Sequence, residues 1–243
     1  MKTIYKISIC IVLSIIIIFG FLSYHNMYNR SLIHHYTYSI NIATDSPLDN
    51  VTLYIPLPVM NDSSPVGQNM VDEYNDKESR WKFALVDTKH GPMISMKTDN
   101  VEPRFGLKGG GPETYTVPIV FDTMLFVERM IDTKNSIDNE PLMMPKYNLR
   151  YTGNNHYYIN GDVYEYDSKI YAYYETPNDA NVGITVNFDG YNEWWTGGST
   201  SNHYHENILI DLSGPQNGWV TINCKLVTGD GTYLGILKHL LKI

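Results

Sequence analysis

Sixteen consecutive residues, Ile7 through Leu22, carry no charge and are almost all large and apolar. As one helix this run rises about 24 Å at 1.5 Å per residue. A bilayer core is about 30 Å thick, so the run reaches a span once its flanks join the helix. Lys2 and Lys6 precede it and no acidic residue occurs before position 31. Positive charge ahead of the run places its N-terminus in the cytoplasm and the rest of the chain outside. A cleavable signal peptide starts in the same way but needs small residues before the cut. Gly20–Tyr24 offers no such pair. The reading is an uncleaved, single-pass membrane anchor or signal segment over 1–24 and a linker over 25–32. An extracytoplasmic β domain over 33–233 and an apolar basic tail over 234–243 complete the expectation.

The remainder is acidic. Three of the 18 basic residues lie within the first 30 positions, leaving 15 against 26 acids, a net charge of −11. Phosphate binding requires a basic footprint, so nucleic acid is not an expected partner. Of the two cysteines, Cys10 falls in the apolar run and Cys224 near the other end, which argues against a disulfide between them. Cys224 lies in an alternating segment and reads as a strand thiol.

Beyond the anchor the chain is written in short alternating runs broken by Gly, Pro, Asn and Asp. Tyr36, Tyr38, Ile40 and Ile42 recur at period two, as do Val51, Leu53, Ile55 and Leu57. Residues 59–80 read as a long loop or a short helix. A hairpin is expected around residues 89–92, and a second around Asn160-Gly161, a pair that accepts a type I′ turn. Further strands are expected at Ile170–Thr176, Gly183–Phe188, Glu206–Leu212 and Trp219–Val227. The Gly-rich stretch 106–112 reads as a connection, and residues 132–146 as a loop. About ten strands with little helical patterning imply a mainly β fold, an antiparallel β-sandwich or open barrel behind one transmembrane helix.

Several segments could carry chemistry. Trp194 and Trp195 are adjacent, and neighbours in a strand face opposite ways. With Asn192 and Glu193 they form the expected ligand-binding loop, where an exposed ring could stack on a sugar. His203 and His205 sit at i and i+2, on one side of a strand, and are candidate metal ligands that still need a third donor. Nine tyrosines between 147 and 174 could likewise stack on sugars or pack across strands. Asn29, Asn50 and Asn61 begin Asn-x-Ser/Thr triplets and are candidate glycosylation sites on an exported domain. No zincin or nucleophile-elbow motif is present, no catalytic residue is identified, and no cofactor is implied.

Residues 171–176, 193–198, 213–219 and 226–229, with echoes at 50–58 and 90–93, resemble a group of uncharacterised, exported archaeal β-rich surface proteins. Together they cover under a third of the chain. The resemblance implies an outward-facing β domain and no particular activity. Two functions follow as expectations: a cell-surface binding or structural module that meets an envelope glycan or protein, or a surface glycan hydrolase with a carboxylate pair in a cleft.

Overall fold

The computed structural model describes residues 2–76, 80–107, 114–154, 161–195 and 197–233. Helix α1 runs from Lys2 to Ser31. Within it Lys6–Ser31, 26 residues of mean hydropathy 2.6, is long and apolar enough to cross a membrane. The expected linker over 25–32 is instead the last two turns of this helix. Only Leu32 separates it from the first strand, because no Gly or Pro interrupts the helix before the β-branched Ile33.

The body is an antiparallel sheet of eleven strands that curls into a half-barrel, the open-barrel form of the expected architecture. Its strands are β1 (Ile33–Thr44), β2 (Leu48–Val59), β3 (Lys82–Thr88), β4 (Gly91–Val101), β7 (Ile119–Phe126), β8 (Leu142–Met144), β9 (Tyr147–Asn154), β10 (Asp162–Glu175), β11 (Asn181–Trp195), β12 (Ser199–Ser213) and β13 (Gln216–Gly231). A separate hairpin pairs β5 (Phe105–Leu107) with β6 (Thr114–Thr116). The order across the sheet is β3-β4-β2-β10-β13-β12-β11-β1-β7, with β8 on β2 and β9 on β10.

Period-two alternation sets the two faces. On β11, Val182, Ile184, Val186 and Phe188 point inward with Gly190, Asn192 and Trp194; Asp189, Tyr191, Glu193 and Trp195 point outward. Tyr38, Tyr166, Tyr174 and Tyr204 are among the largest fully buried side chains, so much of the tyrosine excess is core. Gly190 is required because a Cβ there would meet the Tyr204 ring at 2.3 Å.

Helix α2 (Pro65–Asp76) crosses between the edge strands β3 and β7. Ser64 caps it by accepting from the Gly67 N–H at 3.1 Å, and Pro65 starts it with a pre-set φ. Its side chains replace missing strand partners. The Asn75 amide pairs with both the N–H and the C=O of Phe83. The Tyr74 hydroxyl bridges the N–H and C=O of Asp122, and Asn69 donates to Met124. Tyr74, Trp81, Phe83 and Phe121 pack their rings beneath it.

The expected hairpin at 89–92 joins β3 to β4. Ahead of β10 the described strand is β9, and Asp162 pairs with Asn154 on one edge and Thr228 on the other. The expected hairpin at Asn160-Gly161 falls on residues 155–160, outside the described residues. Residues 155–160, the centre of the stretch 106–112 and the tail 234–243 lie outside the described residues.

A candidate metal centre on the outer face

The first functional surface is a row of side chains on the outer face, at the end of the sheet nearest α1. Strand register brings together Phe126 on β7, His35 on β1, Tyr191 on β11, His203 on β12 and Asp230 on β13, each paired with the next. Their rings stack across the strands. His35 lies 5.8 Å from Phe126 and 5.4 Å from Tyr191, which lies 4.9 Å from His203. His205, two residues along β12, stacks on His203 at 5.4 Å and 27°. The ring of His203 is therefore held from two sides.

Asp230 reaches this row because β13 bulges opposite His203–His205. Gly229 and Gly231, on either side of it, have φ of +74° and +96°, values that favour glycine. The Gly231 N–H donates to Asp230 Oδ1 at 2.8 Å, while Oδ2 faces His203 Nε2 at 3.5 Å. One ligand atom from each of His203, His205 and Asp230 lies within 4.8 Å of the others.

Burial governs the electrostatics here. It holds His203 below the usual imidazole range, against the pull of Asp230. It drives His205 down to about 4, helped by His203 and Lys225. Both rings are neutral at pH 7, with lone pairs available for a ligand. Across the strand from His205, burial lifts the Asp189 carboxyl to about 6 although Thr37 and Tyr191 donate to it. The Nδ1 atoms of His35 and His203 are buried without a hydrogen-bond partner.

The inner face carries a different polar set, spent on holding a strap formed by residues 127–146. Asn192 accepts from Ile131 N–H at 2.9 Å, donates to Ile131 C=O at 2.9 Å and to Asn202 at 2.8 Å, and lies 2.8 Å from His34 Nδ1. Glu140 takes both terminal nitrogens of Arg129, the Tyr36 hydroxyl and the Asp132 N–H. Glu206 takes Lys146 Nζ at 2.7 Å, the Tyr166 hydroxyl at 2.5 Å and the Met143 N–H at 3.0 Å. Tyr204 donates to Pro141 C=O. The strap contributes Ile131, Leu142 and Met143 to the core. Cys224 lies in the same interior, its thiol pushed up to about 12 by burial.

The four residues of the expected binding loop are thus split. Asn192 and Trp194 are buried on the inner side; Glu193 and Trp195 face out, and all four belong to β11 rather than to a loop. Trp194 packs edge-on against Tyr28 of α1, and Trp195 donates its backbone N–H to Ser31 Oγ at 2.9 Å. Trp195, 46% exposed, is the one tryptophan of the pair that a ligand could reach. A second aromatic patch, not foreseen from the sequence, surrounds Trp219 at the opposite end of the outer face. Tyr171, Tyr54 and His90 ring it at 5.5, 6.3 and 4.5 Å. Lys89 approaches its face and Tyr147 bonds His90.

Of the three glycosylation candidates, Asn29 lies in the last turns of α1, whereas Asn50 and Asn61 are exposed at positive φ on β2 and in a turn. No protein-family model, curated protein or solved structure matches this chain.

Proposed function

We propose that this protein is a membrane-mounted β module that faces outward and contacts an envelope glycan through the aromatic residues of its outer face. The observation that carries the reading is the junction of α1 with the sheet. A helix apolar enough to span a bilayer runs into β1 through one residue, and Tyr28 and Ser31 dock on Trp194 and Trp195. Lys2 and Lys6 ahead of the span orient the sheet away from the cytoplasm. The acidic balance suits an exported surface, as does the resemblance to exported archaeal β proteins. The glycan contact is supported by Trp195 at the rim and by the rings around Trp219. Such faces meet the CH groups of a sugar ring while Tyr hydroxyls keep water or a partner.

Sidedness is tested by labelling lysines of the native chain with a membrane-impermeant reagent on intact cells. Labelling before lysis supports the reading, and labelling only after lysis overturns it. On an outward domain Asn50 and Asn61 become glycan acceptors, seen as a mass increment lost in Asn50→Gln and Asn61→Gln. For the ligand, the detergent-solubilised chain is applied to a glycan array. Binding weakened by Trp195→Ala or Trp219→Ala supports the contact, and binding indifferent to both rules it out.

A further inference from the structure

We infer that His203, His205 and Asp230 form a binding site for a divalent transition metal, zinc being the reference ion, on the outer face at the end of the sheet nearest α1. Neither sidedness nor a glycan ligand is needed for this inference. The first support is geometric. Ligands on a tetrahedral zinc with bonds of about 2.1 Å sit about 3.4 Å apart. The separation of His203 Nε2 from Asp230 Oδ2 is 3.5 Å, and one donor atom from each of His203, His205 and Asp230 lies within 4.8 Å of the others.

The second support is that the cluster is poorly explained as an ion pair. A charge-assisted N–H to carboxylate bond is about 2.7–2.9 Å long. The contact here is longer, and the other ring nitrogen of His203, Nδ1, is buried without a hydrogen-bond partner. Two stacked imidazoles beside one carboxylate are the donor types that a transition metal takes.

The third support is the surrounding shell. Asp230 Oδ1 is fixed by the Gly231 N–H, which leaves Oδ2 directed at His203. Tyr191 and His205 clamp His203 from either side. Outer groups that fix the orientation of ligands are a regular part of metal sites. Other groups facing the cluster are His35, Asp189 and Lys225. The lysine disfavours a cation, whereas Asp189 favours it.

A set of two imidazoles and one carboxylate selects zinc, cobalt, nickel or copper over calcium and magnesium, which prefer oxygen alone. Three protein ligands also leave a coordination position for water or for a group of a ligand.

The test uses the full chain in detergent, stripped with chelator, and titrated calorimetrically with Zn2+. The expected result is one Zn2+ per chain with micromolar or tighter affinity, accompanied by a rise in Tm. His203→Gln, His205→Gln and Asp230→Asn each weaken binding at least about tenfold. Asp179→Asn, in the turn between β10 and β11 at the far end of the sheet, leaves it unchanged, and Mg2+ does not compete. Co2+ in place of Zn2+ gives a visible spectrum that His205→Gln alters. Circular dichroism of each variant separates loss of ligand from loss of fold. If a histidine variant unfolds, Asp230→Asn and the Co2+ spectrum of the parent chain decide the matter. No Zn2+ binding by the parent chain, or equal binding by folded variants, overturns the site.

Discussion

The two faces of the sheet treat their polar groups in opposite ways. Inside, Glu140 and Glu206 have zero side-chain exposure, and every carboxylate oxygen already accepts from a protein donor. Outside, His203 keeps an orphan Nδ1 and faces a carboxylate at a distance too long for a strong bond. Counting donors and acceptors assigns the two regions different work. The saturated groups tie the strap to the barrel and have no capacity left for a substrate. The unsaturated ones can still receive a ligand. The expectation of a carboxylate pair for sugar hydrolysis therefore finds no support in these two glutamates, the only buried acids among the described residues.

The largest test of this contrast is Glu206→Ala. It strands Lys146, whose side chain is 8% exposed, together with the Tyr166 hydroxyl and the Met143 N–H. Breaking a buried pair in this way costs about 3–5 kcal/mol. His205→Gln in metal-free buffer should change stability by less than about 1 kcal/mol. Denaturant unfolding of both variants measures the difference, and equal losses would break the comparison.

The next effect is a pH dependence. Burial lowers His35, His203 and His205 in the folded chain, so the unfolded chain binds more protons as pH falls below about 6.5. The stability they contribute is present above that pH and is lost as pH drops toward the folded value, about 4 for His205. For His205 alone the loss is about 3 kcal/mol. Asp189 acts in the opposite sense, because its folded value is raised to about 6. It holds a proton that the unfolded chain has released, and that advantage disappears as pH rises through 6. Asp189→Asn should therefore steepen the rise in stability between acid and neutral pH, as thermal melts across that range will report.

A smaller effect belongs to the closure of the barrel. Asn75→Ala removes two hydrogen bonds to Phe83 and should cost about 1–2 kcal/mol. It also bares the backbone of an edge strand, so sedimentation should show association that grows with concentration. The smallest effect is that of Trp195→Ala on stability, within about 0.5 kcal/mol, since its ring is exposed and only its backbone meets Ser31. A larger loss would mean that this ring helps hold the helix on the sheet.

Much of the fold was legible where inward positions are apolar. β1 and β2 appear in the alternation of Tyr36 to Ile42 and of Val51 to Leu57. The sequence misleads where inward positions are polar. Asn192, Asn202 and Glu206 face inward to grip the strap, so 191–202 reads as a loop although most of it belongs to the strands Asn181–Trp195 and Ser199–Ser213. The strap reads as a loop for the same reason, since its partners are far away in sequence. Two of the three residues of the candidate metal centre were visible, because i and i+2 on a strand share a face. Asp230 was not, because its position depends on a bulge and on pairing with a strand almost thirty residues earlier. Helix α2 was left open between loop and helix because Gly67 and many polar residues weaken its pattern, whereas its Ser64 cap and Pro65 could have marked its start.

The one-residue joint between α1 and β1 leaves this molecule without a swivel. With Ser31 and Tyr28 seated on the end of β11, any tilt of α1 must tip the sheet with it. The direction in which the histidine row points relative to the apolar helix then becomes a fixed property of the chain rather than an average over a loose stalk.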